Sequence, residues 1–161
     1  MLKCAKKPVD ILKVIESVLI CELAGIIGAI FTVGAIPTWY ATLVKPSFNP
    51  PNWIFSPVWN MLFLLMGLSL YYVWTSKSKK KIIAMKIFFV QLTLNALWSV
   101  LFFGLHSPIL GLVDIIFLWV AIFFTIIYFK KVSSTSAFLL LPYILWVSFA
   151  LVLNFSIVIL N

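Results

Sequence analysis

Five long apolar runs dominate this chain and leave it few ways to fold. They extend from about Ser17 to Ile36, Pro57 to Trp74, Ile82 to Phe103, Ile109 to Phe129 and Ala137 to Leu160. A hydrocarbon layer roughly 30 Å thick is crossed by a helix of about 20 apolar residues. Inside lipid a segment must also satisfy its own backbone amides, which a helix does. The expected fold is therefore all-α, an integral membrane bundle of five transmembrane helices forming one domain over residues 1–161. Composition agrees: the chain is 64% hydrophobic and 10% charged, against roughly 45–50% and 25% in soluble domains.

The connections are as informative as the runs. Between the first two lies a Pro- and Trp-rich stretch, Pro37 to Pro57, holding Pro46, Pro50 and Pro51 among Trp39, Tyr40, Trp53 and Phe55. Proline removes a backbone donor and restricts its predecessor, so this stretch is read as a loop, with Pro57 tolerated in the first turn of the next helix. Pro142 likewise falls near the start of the last span. The first run follows a basic stretch, as in a signal peptide, but lacks a small-x-small cleavage site and is read as a retained span. No internal repeat of about 20 to 50 residues stands out, which argues against an inverted-repeat transporter.

All twelve basic residues are lysines, set against Asp10, Glu16, Glu22 and Asp114, for a net charge of +8. Lys3, Lys6, Lys7 and Lys13 open the chain, Lys77, Lys79, Lys80, Lys81 and Lys86 cluster at the second connection, and Lys130 and Lys131 sit at the fourth. Only Lys45 falls on the opposite side, so the positive-inside rule puts the N-terminus in the cytoplasm and the C-terminus and Pro-rich loop outside. Lysines between apolar runs are topology signals, and no nucleic-acid partner is expected. Cys4 and Cys21 define neither a disulfide framework nor a metal site. No nucleotide loop, zincin pair or nucleophile elbow is present, and the single histidine, His106, reads as a surface residue of the third connection rather than a haem ligand.

A polar side chain within a span needs a partner or a task. Gln91, Asn95 and Ser99 are spaced by four with Trp98 beside them, so they share a helix face. Asp114, whose insertion at mid-helix costs about 2.5–3.5 kcal/mol, lies about one turn into its span, where the helix dipole and interfacial water would ease it. Glu22 is placed similarly, toward the cytoplasmic end of the first span. Trp59 with Phe63, and Trp146 with Ala150, each stand four apart. If those faces converge with Asn95 and Trp98 they form a flat-walled cavity suited to a planar apolar ligand, held by stacking and one or two directed hydrogen bonds. Core packing would use the same residues, and periodicity does not separate the two. Ala24, Gly25, Gly28 and Ala29 make two small-xxx-small pairs, a pattern for close helix contact in a homodimer or against another protein.

The loop residues Trp39, Tyr40, Leu43, Lys45, Pro46, Pro50, Pro51, Trp53, Phe55, Pro57, Val58 and Trp59 together resemble the signature of the TspO/MBR family, the tryptophan-rich sensory proteins related to mitochondrial translocator protein. The likeness continues through Met66, Gly67, Gln91, Leu92, Leu94, Asn95, Trp98, Leu101 to Phe103, Asp114, Pro142, Tyr143, Trp146, Phe149, Ala150, Leu153 and Asn154, covering about Gly25 to the C-terminus. It implies a five-helix bundle, usually dimeric, in a prokaryotic cell membrane. A pocket near the first loop would accept porphyrins and benzodiazepine-type or isoquinoline ligands. By position, Trp59, Phe63, Gln91, Asn95, Trp98, Asp114, Trp146 and Ala150 are the implied ligand-binding residues, with Tyr40 and Trp53 parts of a lid.

On this resemblance the chain is a receptor or sensor for planar apolar molecules. Porphyrin or haem enters as ligand, and no cofactor or metal is required. Some bacterial relatives are associated with light- and oxygen-dependent breakdown of protoporphyrin, which would make Trp59 and Trp146 the candidate reactive residues while the pigment supplies its own photochemistry. The alternatives are a transporter of tetrapyrroles or other small molecules, for which Gln91, Asn95 and Asp114 provide few polar steps, and a non-catalytic regulatory membrane partner. The run Leu151 to Phe155 contains neither Tyr nor Lys, so the sterol motif proposed for mammalian relatives is absent there.

Overall fold

A computed structural model describes residues 9–161; Lys3, Cys4, Lys6 and Lys7 lie outside them. The chain forms helices α1 (Ile11–Ala35), α2 (Trp39–Thr42), α3 (Phe55–Trp74), α4 (Lys81–Ser99), α5 (Pro108–Lys130), α6 (Ser134–Leu139) and α7 (Leu141–Leu160). A 3-10 turn at Asn52–Ile54 leads into α3, and a π turn at Val100–Gly104 extends α4. Five stretches are long and apolar enough to cross a membrane: Ile11–Ala35, Asn52–Trp74, Lys81–Gly104, Pro108–Lys130 and Ser134–Leu160. The expected all-α, five-span architecture is thus the one observed.

Helix ends follow capping chemistry more closely than hydropathy. The first span starts at Ile11 rather than Ser17, because the Asp10 carboxylate accepts the Lys13 amide at 3.3 Å and satisfies one of the donors a helix start leaves free. Polar Lys13 and Glu16 made that turn look like a connection, but they belong to the helix. Ser107 caps α5 by accepting the Leu110 amide, with Pro108 directly inside, where its missing donor is harmless. The last span begins at Ser134, not Ala137, under a Ser133 cap. It is then interrupted at Leu140, just before Pro142, whose ring and absent N–H prevent the two pieces from joining into one ladder.

Lipid gives helices no hydrophobic reason to associate, so close approach and internal polar bonds must hold them. Helix α1 packs along α3 and α4, α4 on α5, α5 on α7, and the short α6 fits between α3 and α5; α3 and α7 barely touch. A Cβ at Gly67 would lie 2.5 Å from the Val18 Cα, one at Gly25 2.6 Å from the Phe63 ring, and one at Gly28 2.8 Å from the Ser99 hydroxyl. Ala24, Gly25 and Gly28 therefore seat α1 on α3 and α4 within the chain, while Ala29 stays exposed. Ser69 and Ser136, both buried, each donate to the other's carbonyl and clasp α3 to α6. Trp119 ties α5 to α7 through the Ser148 hydroxyl at 2.8 Å. The outward faces carry Leu19, Ile30, Val33, Ile82, Phe117 and Leu145, an apolar exterior suited to hydrocarbon.

Topology gathers charge at one end. The start of α1 meets the end of α3, where the Asp10 amide donates to the Tyr71 hydroxyl at 3.2 Å. The lysines between α3 and α4 and those closing α5 lie at that same end of the alternating bundle, with Lys45 at the other. The α1–α3 contact supplies a test. Gly67→Ala forces a methyl onto the Val18 backbone and should destabilise the detergent-solubilised protein by about 1–3 kcal/mol, lowering its thermal midpoint. Gly34→Ala, at an exposed site with nothing within 4 Å, should leave the midpoint unchanged or raised.

Candidate functional site

The inner face of α4 presents Gln91 and Asn95, both buried, and Trp98. Tyr143 of α7 stitches the two amides together: its hydroxyl donates to Gln91 Oε1 at 2.9 Å and accepts from Asn95 Nδ2 at 2.9 Å. Farther along, Trp98 Nε1 donates to Asn154 Oδ1 at 3.3 Å, and Asn154 Nδ2 donates to the Pro108 carbonyl at 2.9 Å. The polar residues of α4 are thus bonds between helices, and Ser99 turns away to Gly28 on α1. Sequence reading did not single out Tyr143 as part of the site. Its spacing with Val147, Ala150 and Asn154 on one face of α7 was the available signal.

Trp59, Asn95, Trp98 and Ala150 do converge, together with Ile115, Leu118 and Val147, but around a gap of only about 10 Å³. That is room for about one water, whereas sites for drug-sized ligands run to roughly 300–1,000 Å³. An open flat-walled cavity is therefore not what the indoles form; each packs against neighbouring rings. Trp59 leans on Phe63 at 5.7 Å between centroids and meets Tyr143 edge-on at 6.4 Å, while Trp98 stacks on Phe102 at 5.0 Å.

The large concavity lies on the outside of the same seam. A groove of about 560 Å³ runs between α3 and α7, lined by Pro57, Val58, Met61, Leu62 and Leu65 on one side and Pro142, Leu145, Trp146 and Phe149 on the other. Trp146 belongs to this groove rather than to the inner gap. Neighbouring residues alternate between the two spaces: Val58, Trp146 and Phe149 face the groove, and Trp59, Val147 and Ala150 the gap. The barely packed α3–α7 seam is thus the partition between an apolar groove and an aromatic interior.

The loop covers, in two halves, the end of the bundle opposite the clustered lysines. Its first half is pinned. Tyr40 is buried against Phe102 and Phe103, its hydroxyl donates to Asn49 Oδ1 at 2.9 Å, and Lys45 holds its ammonium 4.7 Å from the ring centre. Trp39 stacks on exposed His106 at 4.8 Å, and the Val44 backbone exchanges two hydrogen bonds, 2.9 and 3.0 Å, with the Asn161 amide. The π turn helps: its wide bond from the Leu105 amide to the Val100 carbonyl, 2.8 Å, leaves adjacent Phe102 and Phe103 both buried. The second half meets α7 through the edge of Phe48 on Phe149, Phe55 at the start of α3 meets Trp146 edge-on, and Trp53 is 73% exposed.

Asp114 departs from the sequence reading. Instead of sitting at a wet interface it is 4% exposed, on the buried stripe of α5 shared with Gly111, Ile115 and Leu118. Among the described residues, its two carboxyl oxygens and the Trp146 indole nitrogen are the buried side-chain polar atoms without a hydrogen-bond partner. No group of three metal-ligating side chains occurs among the described residues.

Comparison with known proteins places these features in context. The profile of the TspO/MBR family matches residues 17–160. The tryptophan-rich protein TspO of Archaeoglobus fulgidus is 47% identical over 152 residues, covering 94% of this chain and 99% of that protein. The human translocator protein is 35% identical over 139 residues, covering 84% and 82%. The tryptophan-rich sensory protein of Cereibacter sphaeroides is 32% identical over 137 residues, covering 83% and 85%.

Two outcomes follow from the site as built. Tyr143→Phe removes the hydroxyl between two buried amides and should lower stability by about 1–3 kcal/mol, read as a fall in thermal midpoint in detergent. Burial pushes the Tyr40 phenol up to about 12, from about 10 in an unfolded chain. A raised value means that the neutral form is favoured by folding, so its contribution is whole below pH about 10 and disappears as the pH climbs through about 12. Loss of thermal stability over that interval should be shallower in Tyr40→Phe than in the wild type.

Proposed function

The chain belongs to the TspO/MBR family, and from that membership together with the α3–α7 seam we propose that it is a membrane receptor for a planar apolar ligand, with a tetrapyrrole such as protoporphyrin as the representative case. Membership and the five apolar spans make it a multi-pass membrane protein of a sensor and receptor family. The observation that carries the finer reading is the groove of about 560 Å³ backed directly by the indole-lined gap, with only the loosely packed seam between them.

An apolar pigment dissolved in the bilayer meets the groove from the lipid side without crossing a charged surface. Its flat face stacks on Trp146 and Phe149, and parting α7 from α3 extends the contact to Trp59 and Trp98. Aromatic stacking plus burial of apolar area supplies the affinity. Closed packing in the interior makes this an opening site, in which part of the ligand's binding energy is used to separate the helices. The exposed half of the loop, with Trp53, lies over the same end. Gln91, Asn95 and Asn154 are engaged in bonds between helices and do not line a continuous polar path, which favours a receptor over a transporter. The lysine-rich end faces the cytoplasm in this reading, with the Pro-rich loop outside.

Titration of detergent-purified protein with protoporphyrin, followed by the shift in porphyrin absorbance, tests the proposal. Trp146→Ala and Trp59→Ala should each weaken binding by about tenfold, and Trp53→Ala by much less. Equal affinity in the wild type and the Trp59→Ala plus Trp146→Ala double variant would remove the seam as the site.

A further inference from the structure

Helix α1 carries a carboxyl group at the depth where a bilayer is driest. Read from Ser17, Glu22 stood toward the cytoplasmic end of its span, but the Asp10 cap moves the start of α1 to Ile11 and makes Glu22 the twelfth of its 25 residues. At a rise of about 1.5 Å per residue it lies about 17 Å along a helix about 37 Å long. Packing against α3 gives the same depth. The Asp10 amide reaches Tyr71, Val18 faces Gly67 and Gly25 faces Phe63, so Glu22 falls level with α3 between Phe63 and Gly67, near the middle of the Asn52–Trp74 span. Its side chain is partly exposed and has no hydrogen-bond or ion-pair partner among the described residues, where the one ion pair joins Lys13 to Asp10. Other polar side chains on the outside of the spans, Thr32, Thr93 and Ser156, donate to the carbonyl four residues back on their own helix. A carboxylate has no such escape, because it only accepts and the amides of a helix interior are already taken.

The surroundings of Glu22 have the form of a helix-packing seam. Ile15, Leu19, Glu22, Ile26, Ala29 and Val33 recur at alternating steps of four and three, share one face of α1 and open to the outside of the bundle. Lipid tails ask only for apolar residues there, whereas one polar residue in an apolar seam fixes register and partner between helices at a cost in stability. We propose that this face of α1 docks a transmembrane helix of another protein, one that presents a basic side chain, lysine, arginine or histidine, at the middle of the bilayer to pair with Glu22. Carboxyl and base are each expensive in hydrocarbon, and side by side they form a neutral pair, so the match is selective. An amine on a lipid headgroup stays at the bilayer surface, far from this depth. A second copy in the same orientation would bring Glu22 against Glu22 and offer no base at that level, since the lysines of the described residues gather toward the span ends. The inference is independent of the receptor reading, because Glu22 lines neither the groove nor the inner gap.

The full chain, carrying a donor dye on an N-terminal tag, would be reconstituted in phosphatidylcholine liposomes with synthetic leucine-rich transmembrane peptides carrying an acceptor dye. One peptide has lysine at its centre and the other leucine, and energy transfer reads association. The wild type should bind the lysine peptide roughly tenfold more tightly than the leucine peptide, and Glu22→Leu should bind both alike. Moving the carboxyl to another lipid-facing helix, in Glu22→Leu plus Phe117→Glu, should not restore the preference, because exposed Phe117 lies on α5, outside the seam. Without peptide, Glu22→Leu should melt at or above the wild type in detergent and elute at the same size. Equal affinity of the wild type for the two peptides overturns the proposal, and full recovery in the relocated variant overturns α1 as the docking face. A lowered melting temperature in Glu22→Leu shows a structural role and a changed size shows a contact between copies; either overturns it too. Protoporphyrin titration of Glu22→Leu should match the wild type, so failure of the docking proposal leaves the receptor reading standing.

Discussion

Hydrocarbon offers no hydrogen bonds, and that single deficiency shapes nearly every contact in this bundle. Backbone groups are satisfied by helices whose ends are closed by Asp10, Ser107 and Ser133. Side chains are satisfied across helices: Tyr143 bridges the amides of α4, Trp98 and Asn154 link α4 to the head of α5, and the Ser69–Ser136 clasp holds the short α6 in place. Because greasy surface has no preference for greasy surface over lipid, these bonds and the close approaches at Gly25, Gly28 and Gly67 do the work that burial performs in a soluble core. The seam between α3 and α7 has neither device, and it is there that the bundle has its groove.

Much of this organisation was legible in the residues. Apolar length gave the five spans, because the thickness of a bilayer is a strict ruler, and proline density gave the loop. Span ends were less legible: Asp10 and Ser133 extend their helices through residues whose polarity resembled a connection, since a cap acts on backbone donors and not on hydropathy. Helical spacing showed which faces carry Trp59, Asn95, Trp98 and Ala150, and left their meeting as a condition that the structure meets. The state of the space between them was not, because it depends on how rings on different helices tilt against each other, which no one-dimensional pattern encodes. For the same reason Trp146, one residue away from gap-lining Val147, proved to face the groove. Asp114 looked interfacial by counting residues into its span, whereas it lies on the buried stripe of α5 and is 4% exposed.

The loop shows how a short segment can be half fixed and half free. Trp39 and Tyr40 are wedged into the aromatic cluster that the π turn creates with Phe102 and Phe103, and the imidazole of His106, whose backbone is left-handed at φ 51, stacks on the Trp39 ring. Past Asn49, whose amide still accepts the Tyr40 hydroxyl, the side chains reach α7 through ring edges, which are less directional than hydrogen bonds.

Helix α7 is separated from α6 by the break at Leu140, while the serine clasp fastens α6 to α3. Past the break, α7 is held to α4 and α5 by the hydrogen bonds of Tyr143, Asn154 and Ser148 and meets α3 through ring edges alone. Its far tip is Asn161, whose amide grips the Val44 backbone. The end of the last span and the Pro-rich loop are thereby fastened into one unit, at the end of the bundle away from the clustered lysines.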